Sequence, residues 1–266
     1  MRSAVSRDDF VERYGRWALV AGASEGLGAA FAGSLARRGC SLILLARRPA
    51  LLDELAKRLR ADYPLEVRTV AADLADPAAF DSLRLLAAEL EIGVAVYNAA
   101  YSFIGPLLER PLADALRVTE VNVQGPLRFV HALAPPMLAR KRGALLFMSS
   151  LAGFQGSPRL SAYASSKAFI TVLGESLWSE LKPRGVDVLV SAAGAIRTPG
   201  YLRSAKKDAP GTLDPSEVAE LSLTHLGKGP IVVPGAVNKL ARFFLGRLLS
   251  RRAAVGVMAS NTADLE

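Results

Sequence analysis

The sequence predicts a doubly wound α/β fold, with about seven parallel strands in one sheet and helices on both faces. Three observations point there. Short apolar runs alternate with longer amphipathic segments from Trp17 onward, the runs number seven, and no internal repeat or low-complexity tract interrupts them. Parallel strands need a crossover connection, and an amphipathic helix is the compact way to supply it. At 266 residues and 51% hydrophobic content, the chain is expected to bury one large core as a single domain.

Strands are predicted at residues 17–21, 41–46, 67–71, 94–97, 144–149, 186–191 and 230–233. Between them lie helical stretches at 27–38, 50–61, 77–90, 112–138, 161–181 and 215–226, several opening with Pro or an acidic residue as helix starts do. Residues 196–214 lack periodicity and are rich in Gly, Pro, Lys and Ser, the composition of a mobile loop or lid. Residues 237–257 read as one amphipathic helix, in which Leu240, Phe243, Phe244, Leu248 and Leu249 alternate with Arg242, Arg247, Arg251 and Arg252. Packing on the domain or on a second subunit is the commoner fate of such a helix, and contact with a lipid surface is the alternative.

Composition narrows the function classes. The 33 Lys and Arg against 25 Asp and Glu leave a net +8, which favours anionic partners such as phosphates. Part of the excess sits in Arg37-Arg38, Arg47-Arg48, Arg140-Lys141-Arg142, Lys206-Lys207 and Arg251-Arg252, read mostly as solvated helix ends. No stretch interleaves basic and aromatic residues as a nucleic-acid platform does, so no nucleic-acid partner is expected. A lone Cys40 excludes an intramolecular disulfide and a Cys-based zinc site, fits a reducing compartment and reads as a buried thiol. No apolar run is long enough for a signal peptide or a membrane span, so a soluble, cytoplasmic protein is expected. His131 and His225 fall in predicted helices without metal-ligand spacing; both read as structural or exposed, and no metal is expected.

In a sheet of this kind, ligands bind beyond the carboxyl ends of the strands. After the first strand comes Ala21-Gly22-Ala23-Ser24-Glu25-Gly26-Leu27-Gly28. Glycines there let the backbone turn sharply and let a dinucleotide pyrophosphate approach the N-terminus of the next helix. An ordinary glycine-rich turn is the bland alternative, but the place between an apolar strand and an amphipathic helix favours the phosphate cradle. The second strand ends Ala46-Arg47-Arg48, where NAD-binding folds commonly carry an acid that grips the adenosine ribose. A carboxylate would repel a 2′-phosphate, whereas guanidinium groups clamp it, so Arg47 and Arg48 favour NADP over NAD. Asp73, ending the third strand, either accepts a hydrogen bond from the adenine amine or caps a helix.

Near the fourth and fifth strands stand Asn98, Asn122 and Ser149-Ser150, each of which alone reads as a cap or turn residue. Tyr163-Ala164-Ser165-Ser166-Lys167 lifts them, because a spacing of four puts the phenol and the ammonium on one helix face. An ammonium ~4 Å from a phenol contributes about 4 kcal/mol at an effective dielectric of ~20, enough to bring its pKa of ~10 toward neutrality. Tyr163 can then give a proton to a carbonyl oxygen while nicotinamide gives a hydride to the carbon. Ser150 would hold that oxygen as charge develops. Lys167 would also bind the nicotinamide ribose, and Asn122 would anchor a water leading to solvent. The bland alternative is a surface Tyr and Lys on an amphipathic helix.

The glycine turn at Gly22, Gly26 and Gly28, the Asn98-Ala99-Ala100 segment, Asn122, Ser150 thirteen residues before Tyr163, and Lys167 four after it together resemble the short-chain dehydrogenase/reductase family. The resemblance spans roughly residues 17–233. It implies a Rossmann-type fold, a catalytic tetrad of Asn122, Ser150, Tyr163 and Lys167, and NADP(H) held by Gly22, Ser24, Gly26, Leu27, Gly28, Arg47, Arg48, Asp73, Asn98, Tyr163, Lys167 and Thr198. It also implies a homodimer or homotetramer built by packing helices 112–138 and 161–181. The Tyr14-Gly15-Arg16-Trp17 lead-in and the Ala46-Arg47-Arg48 turn look like the branch of hydroxysteroid dehydrogenases and long-chain 3-oxoacyl reductases. That branch implies an apolar ketone or alcohol in a pocket of Phe103, Ile104, Leu151, Phe154 and Tyr201.

Three departures stand out. Ala21 replaces the usual Thr of the glycine motif, Ala100 the Gly of Asn-Ala-Gly, and Ala193-Gly194 the Pro-Gly after the sixth strand. None removes a reacting group, and the lost threonine hydrogen bond is worth about 1 kcal/mol. They leave a second reading, a catalytically silent dinucleotide-sensing protein on the same fold. The expected division is an N-terminal extension at 1–16, a catalytic domain at 17–236 with the substrate loop at 196–214, and a C-terminal amphipathic helix and tail at 237–266.

Overall fold

Seven parallel strands form one sheet in the order β3-β2-β1-β4-β5-β6-β7. They are β1 (Trp17–Ala21), β2 (Ser41–Ala46), β3 (Val67–Ala71), β4 (Ile92–Tyr97), β5 (Gly143–Ser150), β6 (Val186–Ala193) and β7 (Ile231–Val232). The structure is a computed structural model that describes residues 7–205 and 207–262. Residues 1–6, Lys206 of the basic pair and the last four residues of the tail lie outside the described residues.

Alternating side chains of each strand feed two cores. On one face Ala18, Val20, Leu42, Leu44, Val94, Val96 and Leu146 pack with Phe31 and Leu35 of α2 (Gly26–Arg37), Leu52 and Leu55 of α3 (Pro49–Asp62) and Val218 and Leu223 of α9 (Pro215–His225). On the other, Leu19, Ile43, Leu45, Leu145, Phe147 and Val190 meet Phe80 and Leu83 of α4 (Ala78–Glu89), Phe129 and Met137 of α6 (Gly125–Arg140) and Ile170 of α7 (Ser161–Leu181). Each such fully buried side chain contributes about 1.5–3 kcal/mol. Burial on both faces is why the strands read as continuous apolar runs.

The remaining helices are α1 (Arg7–Tyr14), α5 (Leu112–Thr119), α8 (Pro199–Ser204), α10 (Ala236–Phe243) and α11 (Arg251–Thr262). Four local expectations change. The N-terminal stretch carries α1, docked through buried Phe10 and Tyr14, with the Tyr14 hydroxyl donating to Asp187 at 3.0 Å. Two apolar residues four apart carry little sequence signal, and the partner lies far along the chain. The continuous helix at 112–138 is instead α5 and α6 joined by a π-helical turn at Glu120–Gln124. Residues 196–214, expected as a loop without periodic structure, contain α8 and a parallel bridge between Ile196 and Leu213. The single C-terminal helix is two, because a second π-helical turn at Phe244–Leu248 leads into an extended Leu249 before α11.

Several basic pairs also tie elements together rather than standing solvated. Arg37 and Arg38 clamp Glu220 of α9 at 2.6 and 2.7 Å. Burial opposes ionisation of that carboxyl, but the two guanidiniums hold it down to about 2. Arg142 pairs with Glu91, and Arg48 pairs with Glu25 at 2.8 Å. Cys40 is buried, and burial pushes its thiol up to about 12. No helix among the described residues is long and apolar enough to cross a membrane.

Candidate active site

In-register pairing, from Ala21 opposite Leu45 to Ser150 opposite Ala193, aligns the carboxyl ends of the strands. The residues after them therefore gather on one edge. Two adjoining clefts open there, of about 320 and 710 Å³, and share Leu27, Asn98, Ala100, Tyr101, Thr198 and Gly200 as common wall.

The first cleft runs over the glycine turn. Gly22 adopts φ +81°, and a Cβ there would fall 2.8 Å from the Ala99 backbone, so only glycine lets the turn lie this low. Gly28 does not line the cleft; it lies beneath, where a Cβ would sit 1.9 Å from the Gly22 carbonyl oxygen. Its part is to let α2 start close to β1. No acidic residue occupies the first turn of α2, and its N-cap Glu25 makes no capping bond, which leaves the helix N-terminus facing the cleft as an anion cradle requires. Asn98 fastens the turn by donating to the Gly22 carbonyl at 2.9 Å. The Ala21 carbonyl accepts from the amides of Asn98 and Ala99 at 3.1 and 2.9 Å, so backbone bonds join β1 to β4 where the family's threonine is missing.

At the far end the cleft is lined by Ser24, Arg47, Arg48 and Asp73. Arg48 donates to Ser24 Oγ at 3.0 Å as well as pairing with Glu25. Asp73 accepts from the Ala75 amide at 3.0 Å and pairs with Arg117. Burial raises its pKa, and those two partners outweigh that and hold the carboxyl below its usual range. The glycine cradle, the helix N-terminus and the flanking guanidiniums fit a dinucleotide phosphate.

The second cleft contains Phe103, Ile104, Ser150, Tyr163, Lys167, Thr198 and Tyr201, all expected at the site. Thr198 caps α8 by accepting from the Tyr201 amide at 3.3 Å, which fixes the start of the helix that brings Tyr201 into the lining. Leu151 and Phe154 do not line it. The chain turns sharply after Ser150, and the Phe154 ring instead packs under Arg242 of α10, 4.4 Å from its guanidinium.

Ser150 begins that turn, accepts from the Ala152 amide at 3.2 Å and shares the second cleft with the Tyr163 phenol, whose pKa it lowers. Lys167 is buried behind them and donates to the Met148 carbonyl at 2.8 Å, with its nitrogen 5.4 Å from the Tyr163 ring centre. The expected lowering of the phenol pKa is therefore not what this geometry gives. Burial raises Tyr163, opposed only by Ser150 beside it, and burial pulls Lys167 down to about 8. Desolvation acts on both groups and opposes the charged form of each. Asn122 is buried outside both clefts. Its side chain exchanges hydrogen bonds of 2.8 and 2.9 Å with the Tyr101 backbone and donates to Ser166 Oγ at 3.0 Å.

Other polar residues of the clefts lie outside the expected set. Glu25 lines the first cleft and Arg110 the second, while Tyr101 lies between them. Ser149 donates to the Lys167 carbonyl at 2.8 Å and pairs with Thr171 Oγ1 at 2.8 Å, which locks α7 to β5. The sequence names Ser149 beside Ser150 only as a cap or turn residue.

Residues 16–208 match the family model for short chain dehydrogenase. The chain is a short-chain dehydrogenase/reductase. As such it belongs to an oxidoreductase family that binds a nicotinamide cofactor. It is 31% identical over 256 residues to a very-long-chain 3-oxoacyl-CoA reductase of Phaeosphaeria nodorum, covering 91% of this chain and 74% of that one. It is 31% identical over 234 residues to a 7beta-hydroxysteroid dehydrogenase of Clostridium sardiniense, covering 87% and 90%. Among solved structures, a 7beta-hydroxysteroid dehydrogenase superposes with a TM-score of 0.88 at 29% identity, over 93% of this chain and 98% of the other. A short-chain dehydrogenase of Sphingobium yanoikuyae in complex with NADPH superposes at 0.78 and 29%, over 94% and 96%. Among the described residues of this short-chain dehydrogenase/reductase, no three His, Cys, Asp or Glu side chains gather to hold a metal ion.

Proposed function

We propose that this chain is an NADP(H)-dependent oxidoreductase interconverting an apolar ketone and the matching secondary alcohol, with Tyr163 as general acid and base. The observation that carries the reading is that Ser150, Tyr163 and Lys167 line one cleft, and that this cleft adjoins the one over the glycine turn. Gly22, Ser24, Gly26 and Leu27 would hold the pyrophosphate, Asp73 the adenine side, Asn98 and Thr198 the central wall, and Lys167 the nicotinamide ribose. Bound nicotinamide supplies the hydride, and the protein supplies the proton.

Burial keeps the Tyr163 phenol protonated at neutral pH, the state needed to donate to a carbonyl oxygen. Ser150 holds the same oxygen through its hydroxyl. In the reverse direction Tyr163 accepts the proton, and the Ser150 donor and the Lys167 ammonium both stabilise the phenolate that precedes it. The Asn122 side chain is engaged by the Tyr101 backbone and by Ser166, and in this reading Asn122 anchors a water that links Lys167 to solvent.

The choice of NADP rests on Arg47 and Arg48 at the end of β2, and on the NADPH-bound neighbour. An apolar substrate is supported by Phe103, Ile104, Leu160 and Ile196 in the second cleft. Exposed Leu112 and Leu116 on α5, Leu127 on α6 and Val172 on α7 support a homodimer or homotetramer through those helices. The deciding experiment follows NADPH absorbance with a panel of bulky apolar ketones and 3-oxoacyl thioesters. Turnover with at least one, faster with NADPH than with NADH, is expected. NADPH binding with no turnover across the panel and its alcohols would favour the silent, dinucleotide-sensing reading.

A further inference from the structure

The C-terminal helices leave an apolar face that nothing among the described residues covers. Their inner side is anchored. Asn238 is buried and donates to the carbonyls of Gly211 and Pro234 at 3.0 Å, Arg251 donates to the Phe154 carbonyl at 2.8 Å, and Thr262 donates to the Pro158 carbonyl at 2.9 Å. The outer side carries Val237, Leu240, Phe243, Phe244 and Leu248, between 47% and 59% exposed. Val237, Leu240, Phe244 and Leu248 follow steps of three, four and four, so they form one stripe.

Charge selects what covers it. From residue 221 through 263 the chain contains no Asp or Glu but carries Lys228, Lys239, Arg242, Arg247, Arg251 and Arg252. Lys239, Arg247 and Arg252 are exposed at the stripe or beyond it, and none pairs with a carboxylate among the described residues. A second copy docked here about a two-fold axis would set this basic cluster against itself, since such an interface joins identical patches. An anionic bilayer meets both features, taking the apolar stripe into its acyl boundary and the cations at its phosphates.

We propose that α10, the π-helical turn and the start of α11 form a peripheral docking surface for anionic lipid bilayers. Arg242, on the same helix as the stripe, packs over the Phe154 ring.

The test is cosedimentation of the full chain at physiological salt with vesicles of phosphatidylcholine alone, and of equal parts phosphatidylcholine and phosphatidylglycerol. Pelleting with the mixed vesicles only is expected. Arg247→Gln with Arg252→Gln is expected to weaken it roughly thirtyfold, from about fivefold per cation, and Leu240→Ser with Phe244→Ser to abolish it. Both variants change exposed side chains and keep wild-type turnover in the absence of vesicles, which shows that they fold. The proposal is overturned if the wild type stays in the supernatant, if both variants pellet like the wild type, or if light scattering shows the serine variant to be a smaller oligomer. That last outcome would make the stripe an interface between copies.

Discussion

The Lys167 ammonium donates to the Met148 carbonyl at 2.8 Å, so a buried cation on α7 is satisfied by a backbone oxygen of β5. That contact fixes where the ammonium sits, and it compensates only part of the cost of burying a charge. The native pKa of about 8 against an ordinary 10.5 corresponds to about 3 kcal/mol.

The sign of the resulting pH dependence follows from linkage. Below about pH 8 Lys167 is protonated in both the folded and unfolded chain and contributes no slope. Between about 8 and 10.5 the unfolded chain binds more protons, so this residue makes stability rise with pH. We predict that wild type gains on Lys167→Met by up to about 3 kcal/mol across that window, measured by urea unfolding at several pH values. A constant difference would refute the buried ammonium. Using the difference between the two proteins removes the opposite trend from the Cys40 thiol.

Tyr163→Phe deletes the proton while keeping the ring. Turnover is expected to fall by roughly 10²–10⁴, and NADPH affinity by fluorescence titration is expected to hold. Undiminished turnover in the purified variant would remove Tyr163 as the acid.

Arg47→Ala together with Arg48→Ala is expected to weaken NADPH far more than NADH. Hydrogen bonds to charged groups are worth about 1.5–3 kcal/mol, so the NADPH KM rises at least roughly tenfold. Equal losses for the two nucleotides would show that these arginines do not read a 2′-phosphate.

The π-helical turn has its own lock. The Tyr97 hydroxyl donates to the buried Val121 carbonyl at 2.6 Å, and a Cβ on Gly125 would fall 2.1 Å from that hydroxyl. Tyr97→Phe leaves the carbonyl unsatisfied and is expected to cost about 1–3 kcal/mol in urea unfolding. Gly125→Ala is expected to destabilise too, yet the double variant less than the sum, because the phenylalanine removes the atom the methyl strikes. Strict additivity would contradict this packing.

Phe154 supports the C-terminal helices and not the substrate. Phe154→Ala is expected to lower Tm while leaving the ketone KM unchanged, and a raised KM with an unchanged Tm would return it to the pocket. The stacked Arg242 contributes about 0.5–1 kcal/mol of that loss.

The elements and the site were legible wherever the signal is local. The boundaries of α7, the strand runs, the glycine turn and the four-residue step from Tyr163 to Lys167 all depend on neighbours within a turn or two, where periodicity and steric preference speak directly. Tertiary contacts decided the rest. Helix α1 is held by Asp187, 173 positions away from Tyr14. Phe154 turned toward Arg242 rather than the cleft, and the Lys167 nitrogen found Met148. Residue order alone sets which groups are close along the chain, but burial and the identity of distant partners set their charge, and those exist only once the sheet has closed.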